Sequence, residues 1–158
     1  MAGAIELRAV RDDDVGIFFE HMQDADAVRM AGFVSKEWRS RPAHDAHWAK
    51  IRANPGITIR TIVSGGGVAG HVASFVMMGD LELTYWIARD LWGRGVATEA
   101  LRQFLDVVRE RPIHGRAAKD NGGSIRVLEK CGFRRVGEDR GFAHGRGEEI
   151  EEVVLRLG

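Results

Sequence analysis

Apolar and polar residues alternate through Ile5-Glu6-Leu7-Arg8, the spacing of a strand with one buried face. Val15, Phe18, Phe19 and Met22 then recur at i, i+3, i+4 and i+7, which lays them along one side of a helix. Asp12, Asp13 and Asp14 come just before and supply N-cap groups and negative charge for the first turn. The pattern predicts a second short helix over residues 25–30. A third is opened by Arg41-Pro42, carries Ala43, Ala46, His47 and Ile51 on one side, and ends at Asn54-Pro55-Gly56. β-Branched residues dominate 57–63, a glycine turn fills 64–67 and an apolar run follows over 68–78, together a hairpin. After Gly79-Asp80 a strand is predicted over 81–88. The glycine-bearing segment 89–95 leads into a helix whose apolar stripe is Ala97, Leu101, Phe104, Leu105 and Val108. A strand over 113–118, a helix over 124–130 with Gly132 at its C′ position, and strands over 133–136 and 151–157 follow.

That order, βααα-βββ-α-β-α-ββ, is neither a regular βαβ alternation nor all-β, so an α+β fold with a mixed sheet is expected. The chain of 158 residues suits a single domain over residues 1–158, because a domain takes roughly 150 residues. Lys plus Arg number 23 and so do Asp plus Glu, giving no net charge. Nucleic-acid binders draw most of their affinity from a basic excess that neutralises phosphates, so no nucleic-acid partner is expected. No apolar run approaches the ~20 residues that span a bilayer, and Met1-Ala2-Gly3-Ala4-Ile5-Glu6 lacks the basic-then-apolar pattern of a leader. No membrane partner is expected either. The single cysteine, Cys131, excludes an internal disulfide, which suits a reducing cytoplasm.

The chemistry concentrates between Tyr85 and Ala100, where a strand enters a glycine turn and a helix leaves it. Glycines let main-chain amides approach a ligand. The first amides of a helix have no internal partner and lie at its positive pole. Together they form an anion site suited to a phosphate or pyrophosphate, to which Arg89 and Arg94 would add charge. A plain strand-to-helix turn would look the same. Two familiar phosphate motifs do not fit. Thr98 stands where a dinucleotide fingerprint needs its third Gly or Ala, and the G-K-[S/T] ending of a P-loop is absent.

The loop Trp92-Gly93-Arg94-Gly95-Val96-Ala97 resembles the Q/R-x-x-G-x-G/A pyrophosphate loop of the GNAT acetyltransferases, with Trp92 where Gln or Arg is usual. The segment from Asn121 to Phe133 is similar to the N-x-x-S-x-x-V-L-E-K-x-G-F signature of that family's RimJ/RimL branch. The likeness runs over residues 5–157 in element order. It implies a GNAT fold: a central, mostly antiparallel twisted sheet of six to seven strands flanked by helices, with strands 83–88 and 113–118 splayed into a V. It also implies N-acetyl transfer from acetyl-CoA to a primary amine, on a protein N-terminus or a small molecule. Backbone groups of Trp86, Ile87 and Ala88 would pair with the pantetheine arm. Trp92, Gly93, Arg94, Gly95, Val96, Ala97 and Thr98 would hold the pyrophosphate, and Asn121 would bind the arm through its side-chain amide. The amide of Ile87 or Ala88 would serve as oxyanion donor.

Catalytic groups follow from the chemistry. An amine with a pKa near ~10 must lose a proton before it attacks, and Glu82, on the strand leading into the gap, is the candidate general base. The alternative for Glu82 is an exposed strand glutamate. Many GNAT enzymes protonate the departing thiolate with a tyrosine where this chain has Leu128. In the RimJ/RimL branch the serine of N-x-x-S takes that role, and Ser124 matches it. Ser124 is also a natural helix N-cap. Two other functions share the same motifs: an acyl-CoA-sensing module without turnover, and a nucleotide enzyme using the glycine turn differently. Relatives are often homodimers. His44-x-x-His47 with Asp45 lacks a third ligand, so no metal is expected, and His71, His114 and His144 stand isolated. Cys131 fits a small buried hydrophobe. Glu148, Glu149, Glu151 and Glu152 fit a solvated turn and strand edge. Trp38 and Trp48 belong to the core or, by resemblance, to an acceptor pocket.

Overall fold

In the computed structural model, which describes residues 3–158, the chain opens with strand β1 (Ile5–Arg8) and helices α1 (Asp12–His21), α2 (Ala25–Ala31) and α3 (Arg41–Ala53). Met1 and Ala2, part of the stretch read for a leader, lie outside the described residues. The meander β2 (Thr58–Ser64), β3 (Gly67–Met77) and β4 (Asp80–Ile87) follows. Then come α4 (Val96–Val107), β5 (Ile113–Ala118), α5 (Gly122–Lys130), β6 (Arg134–Ala143) and β7 (Glu148–Leu157). The element order is the one the hydrophobic pattern predicts. Helix starts obey local chemistry: the carboxylate of Asp24 accepts the Ala27 amide at 2.9 Å and the hydroxyl of Ser40 accepts the Ala43 amide at 3.2 Å.

The strands form one seven-stranded sheet in the order β1-β2-β3-β4-β5-β7-β6. Every pairing is antiparallel except β4 with β5. Both faces are covered. The larger core lies between the sheet and α4 and α5, built on Leu83, Ile87, Leu101, Phe104, Ile113 and Leu128. A smaller one under α1 and α3 joins Phe18, Trp48, Ile59 and Ala73. The first elements are tied by a polar staple. Buried Asp14 takes the Arg8 guanidinium at 2.7 and 3.0 Å, the Thr61 hydroxyl at 2.8 Å and the Arg11 amide at 2.8 Å. Burial opposes ionisation of that carboxyl, yet these donors outweigh it and hold its pKa at about 2.

The last two strands are longer than the sequence pattern predicts. Residues 137–143 and 148–150 continue a hairpin in which Arg140 pairs with Glu151 and Phe142 with Glu149. Most of β6 is exposed, so its side chains carry no hydrophobic alternation to read. The ribbon is held by backbone bonds and cross-strand charges, Arg140 to Glu149 at 3.3 Å among them.

Candidate active site

The parallel pair β4–β5 is in register at only two positions, Glu82 with His114 and Leu83 with Gly115. Beyond them β4 continues alone against β3, Tyr85 opposite Val72 and Ile87 opposite Gly70. β5 turns to β7, Arg116 opposite Val154 and Ala118 opposite Glu152. The strands therefore diverge into a gap with unpaired main chain on its walls. Close packing of β3 on β4 fixes one wall, because a Cβ added at Gly70 would lie 1.8 Å from the carbonyl oxygen of Trp86. The Ala88 amide is used by the Ala69 carbonyl at 2.8 Å. Strand residues turn their amides alternately to either side, so Ile87 and Tyr85 present theirs to the gap. The Ile87 carbonyl accepts the Trp92 indole N–H at 2.9 Å, which sets Trp92 across the end of β4.

Below the gap lies the glycine loop. Gly93 and Gly95 have φ of 75° and 79°, the left-handed region that glycine enters without penalty. Gly95 is the N-cap of α4 and carries no side-chain cap. Among the described residues no backbone bond is made by the amides of Gly93, Arg94, Gly95, Val96, Ala97 or Thr98. A Cβ added at Gly93 or Gly95 would meet nothing within 4 Å, so the space above these amides is open. This cradle fits an anionic diphosphate. Arg94 is exposed and makes no ion pair among the described residues. Arg89 is instead bound to Asp24 and Asp26 at the start of α2.

A cavity of about 860 Å³ runs through the gap and reaches both faces of the sheet. On the α5 side stand Asn121, Ser124 and Tyr85. Asn121, not Ser124, caps α5: its Oδ1 accepts the Ser124 amide at 3.2 Å. Its side-chain NH₂ stays free for a ligand, and the Ser124 hydroxyl is free to bond Tyr85 Oη at 2.7 Å. Burial pushes the Tyr85 phenol up to about 12, against a smaller opposing effect of Ser124. Sequence reasoning missed Tyr85 as a partner, because 39 positions separate the two residues and no local pattern joins them.

On the other side stands Glu82, buried at 3% exposure rather than solvated as the alternative had it. Arg116 Nε donates to its two oxygens at 3.1 and 3.3 Å. The same guanidinium reaches Glu152 at 3.0 Å and Asp139 at 3.3 Å. Glu152, expected on a solvated edge, thus lines the cavity, and burial raises its pKa despite Arg116. His71, expected to stand alone, packs with Phe18 and Trp48 at centroid distances of 4.8 and 4.9 Å. Burial, then the neighbouring His21, His44 and His47, push its pKa down to about 3. His44 Nε2 donates to Val15 O at 2.9 Å. Among the described residues no three His, Cys, Asp or Glu side chains converge as a metal site. Cys131 is half-buried near Thr98 O, with its thiol pKa pushed up by burial.

A mixed sheet is thus opened at its one parallel pair, with a cradle of free amides below the opening. The chain belongs to the acetyltransferase (GNAT) domain family, whose model matches residues 4–134. Among solved structures it is similar to Mycobacterium smegmatis RimJ in complex with CoA-disulfide, at 23% identity and TM-score 0.81 over 98% of this chain and 82% of that one. It is also similar to spermidine N-acetyltransferase from Vibrio cholerae in complex with CoA and spermine, at 17% identity and TM-score 0.78 over 96% and 95%. A curated relative, an uncharacterised N-acetyltransferase p20 of Bacillus licheniformis, is 26% identical over 83 residues. That match spans 50% of this chain and about half, 47%, of the relative. No helix among the described residues is long and apolar enough to cross a membrane.

Proposed function

We propose that this protein transfers the acetyl group of acetyl-CoA to a primary amine. The observation that carries the reading is the β4–β5 gap, with unpaired strand edges above and the free amides of residues 93–98 below. Bound acetyl-CoA supplies an acyl thioester open to direct attack by an amine. The main chain of Trp86, Ile87 and Ala88 lies along the arm's path, Asn121 offers its amide to it, and Trp92 to Thr98 receive the diphosphate. The Ile87 amide, free where that of Ala88 is not, donates to the developing oxyanion. Glu82 takes the amine's proton, directly or through a water. Its partner Arg116 is shared by three carboxylates, so Glu82 keeps acceptor capacity.

Ser124 faces the departing sulfur, supported by Tyr85 Oη. A phenol held near about 12 does not surrender its proton to a thiolate of pKa about 8.5. The Tyr85–Ser124 pair therefore stabilises the sulfur by donating a hydrogen bond, and solvent completes the protonation. The proposal includes a cytoplasmic setting, on the strength of the single cysteine, and a homodimer, on the strength of the family. The deciding experiment is a panel of primary amines scored for free CoA release from acetyl-CoA, beside calorimetric titration of CoA. Amine-dependent release supports transfer. Tight CoA binding with no release by any amine would leave a sensing module.

A further inference from the structure

Given acetyl transfer at this site, we infer that the acceptor is a primary monoamine carrying an apolar, aromatic-sized body. The half of the cavity facing α2 and α3 is walled by Met30, Phe33, Trp38, Trp48, Phe75 and Trp86. Its cations and anions are concentrated at one place. Among the cavity's lining residues Glu82 and Glu152 share the single guanidinium of Arg116, so that corner sets two carboxylates against one cation, while exposed Asp139 meets the same guanidinium from outside the lining. The corner lies where β4 and β5 part, beside the Glu82–His114 pair. An ammonium is drawn there by charge and delivers its nitrogen to the mouth of the gap.

Elsewhere on this half the one further carboxylate is Glu37, which is exposed. The remaining polar groups are the imidazoles of His44, His47 and His71, the hydroxyls of Ser35 and Thr84 and the indole nitrogens, none of them anionic. His71 is 8% exposed with no partner for Nδ1, and the Trp86 indole nitrogen is likewise unpartnered. A second ammonium along this wall would be stripped of water without a counter-charge, which is costly. An aryl or branched alkyl body instead buries apolar surface against the rings.

The test compares kcat/KM for phenethylamine and tryptamine with spermidine, an amino sugar and a short alanine-initiated peptide, each read as CoA release. The aryl amines are expected to lead by at least tenfold. In Trp38→Ala the KM for phenethylamine rises severalfold while the KM for acetyl-CoA holds, melting temperature confirming that the variant folds. In Met30→Glu, at a half-exposed wall position, spermidine gains on phenethylamine. Equal or better use of spermidine, the amino sugar or the peptide by the wild-type chain overturns this inference and leaves transfer standing. No release with any amine, while CoA still binds, overturns the proposed function itself.

Discussion

At the scale of single residues, the proposed chemistry turns on Ser124 and Tyr85. Their 2.7 Å bond turns a serine at the third position of a helix into a hydroxyl aimed by a buried phenol. A hydrogen bond to a charged group contributes about 1.5–3 kcal/mol. Ser124→Ala is therefore expected to lower kcat about 10–100-fold, with the dissociation constant for CoA unchanged. Tyr85→Phe keeps the ring and removes only the support, so a drop of about 3–10-fold is expected. Steady-state kinetics beside calorimetry separate the two parameters. An undiminished kcat in Ser124→Ala would remove the pair from the mechanism.

At the scale of elements, the cofactor cradle is a property of a turn and a helix end rather than of any side chain. Gly95→Val asks a β-branched residue to adopt a φ of 79° and fills the open space above the amides. The backbone strain alone is about 1–2 kcal/mol. CoA affinity is expected to fall at least tenfold, equal to about 1.4 kcal/mol, with the melting temperature reporting the strain separately. The staple at Asp14 is the structural counterpart. Asp14→Ala strands Arg8 and Thr61 between β1, α1 and β2, and a loss of about 3 kcal/mol is expected in denaturant melts. A loss within experimental error would show the staple to be dispensable. These elements also show what sequence can and cannot carry. Strand β1 and the helices were legible because each buries one face, and a buried face leaves a period, whereas β2 to β4 showed as β-branched or apolar runs, with Ala69 to Ser74 of β3 buried at every position. The outer hairpin was not legible, since residues such as Glu138 and Arg140 bury nothing. The glycine turn before α4 was legible from its spacing. The capping role of Asn121 had a signal, because N-x-x-S places an acceptor three residues before a free amide. The Glu82–Arg116 and Tyr85–Ser124 contacts had none. They arise where β4 meets β5 and α5 across 34 and 39 positions, and only the packed sheet brings them together.

At the scale of the whole molecule, the sheet separates two apolar layers, one against α4 and α5 and one against α1 and α3. The second layer encloses a buried imidazole. His71 sits between Phe18 and Trp48, and its pKa is down at about 3, burial first and neighbouring imidazoles second. Burial also lowers His44 and His21. In the unfolded chain a histidine titrates near 6.5. Between that value and about 3 the unfolded state binds the proton and the folded state does not, so stability rises with pH across the window. Stability is thus full above about pH 6.5 and is lost as the pH falls from there towards the folded value. The slope contributed by one such group reaches about 1.4 kcal/mol per pH unit. Asp14 acts at lower pH with the same sign, its share lost as the carboxyl protonates towards about 2. Melting temperatures should therefore fall steadily between pH 6.5 and 5, before carboxylates titrate. His71→Phe, which keeps a ring between Phe18 and Trp48, should flatten that slope. An equally steep slope in the variant would move the pH sensitivity away from the aromatic cluster.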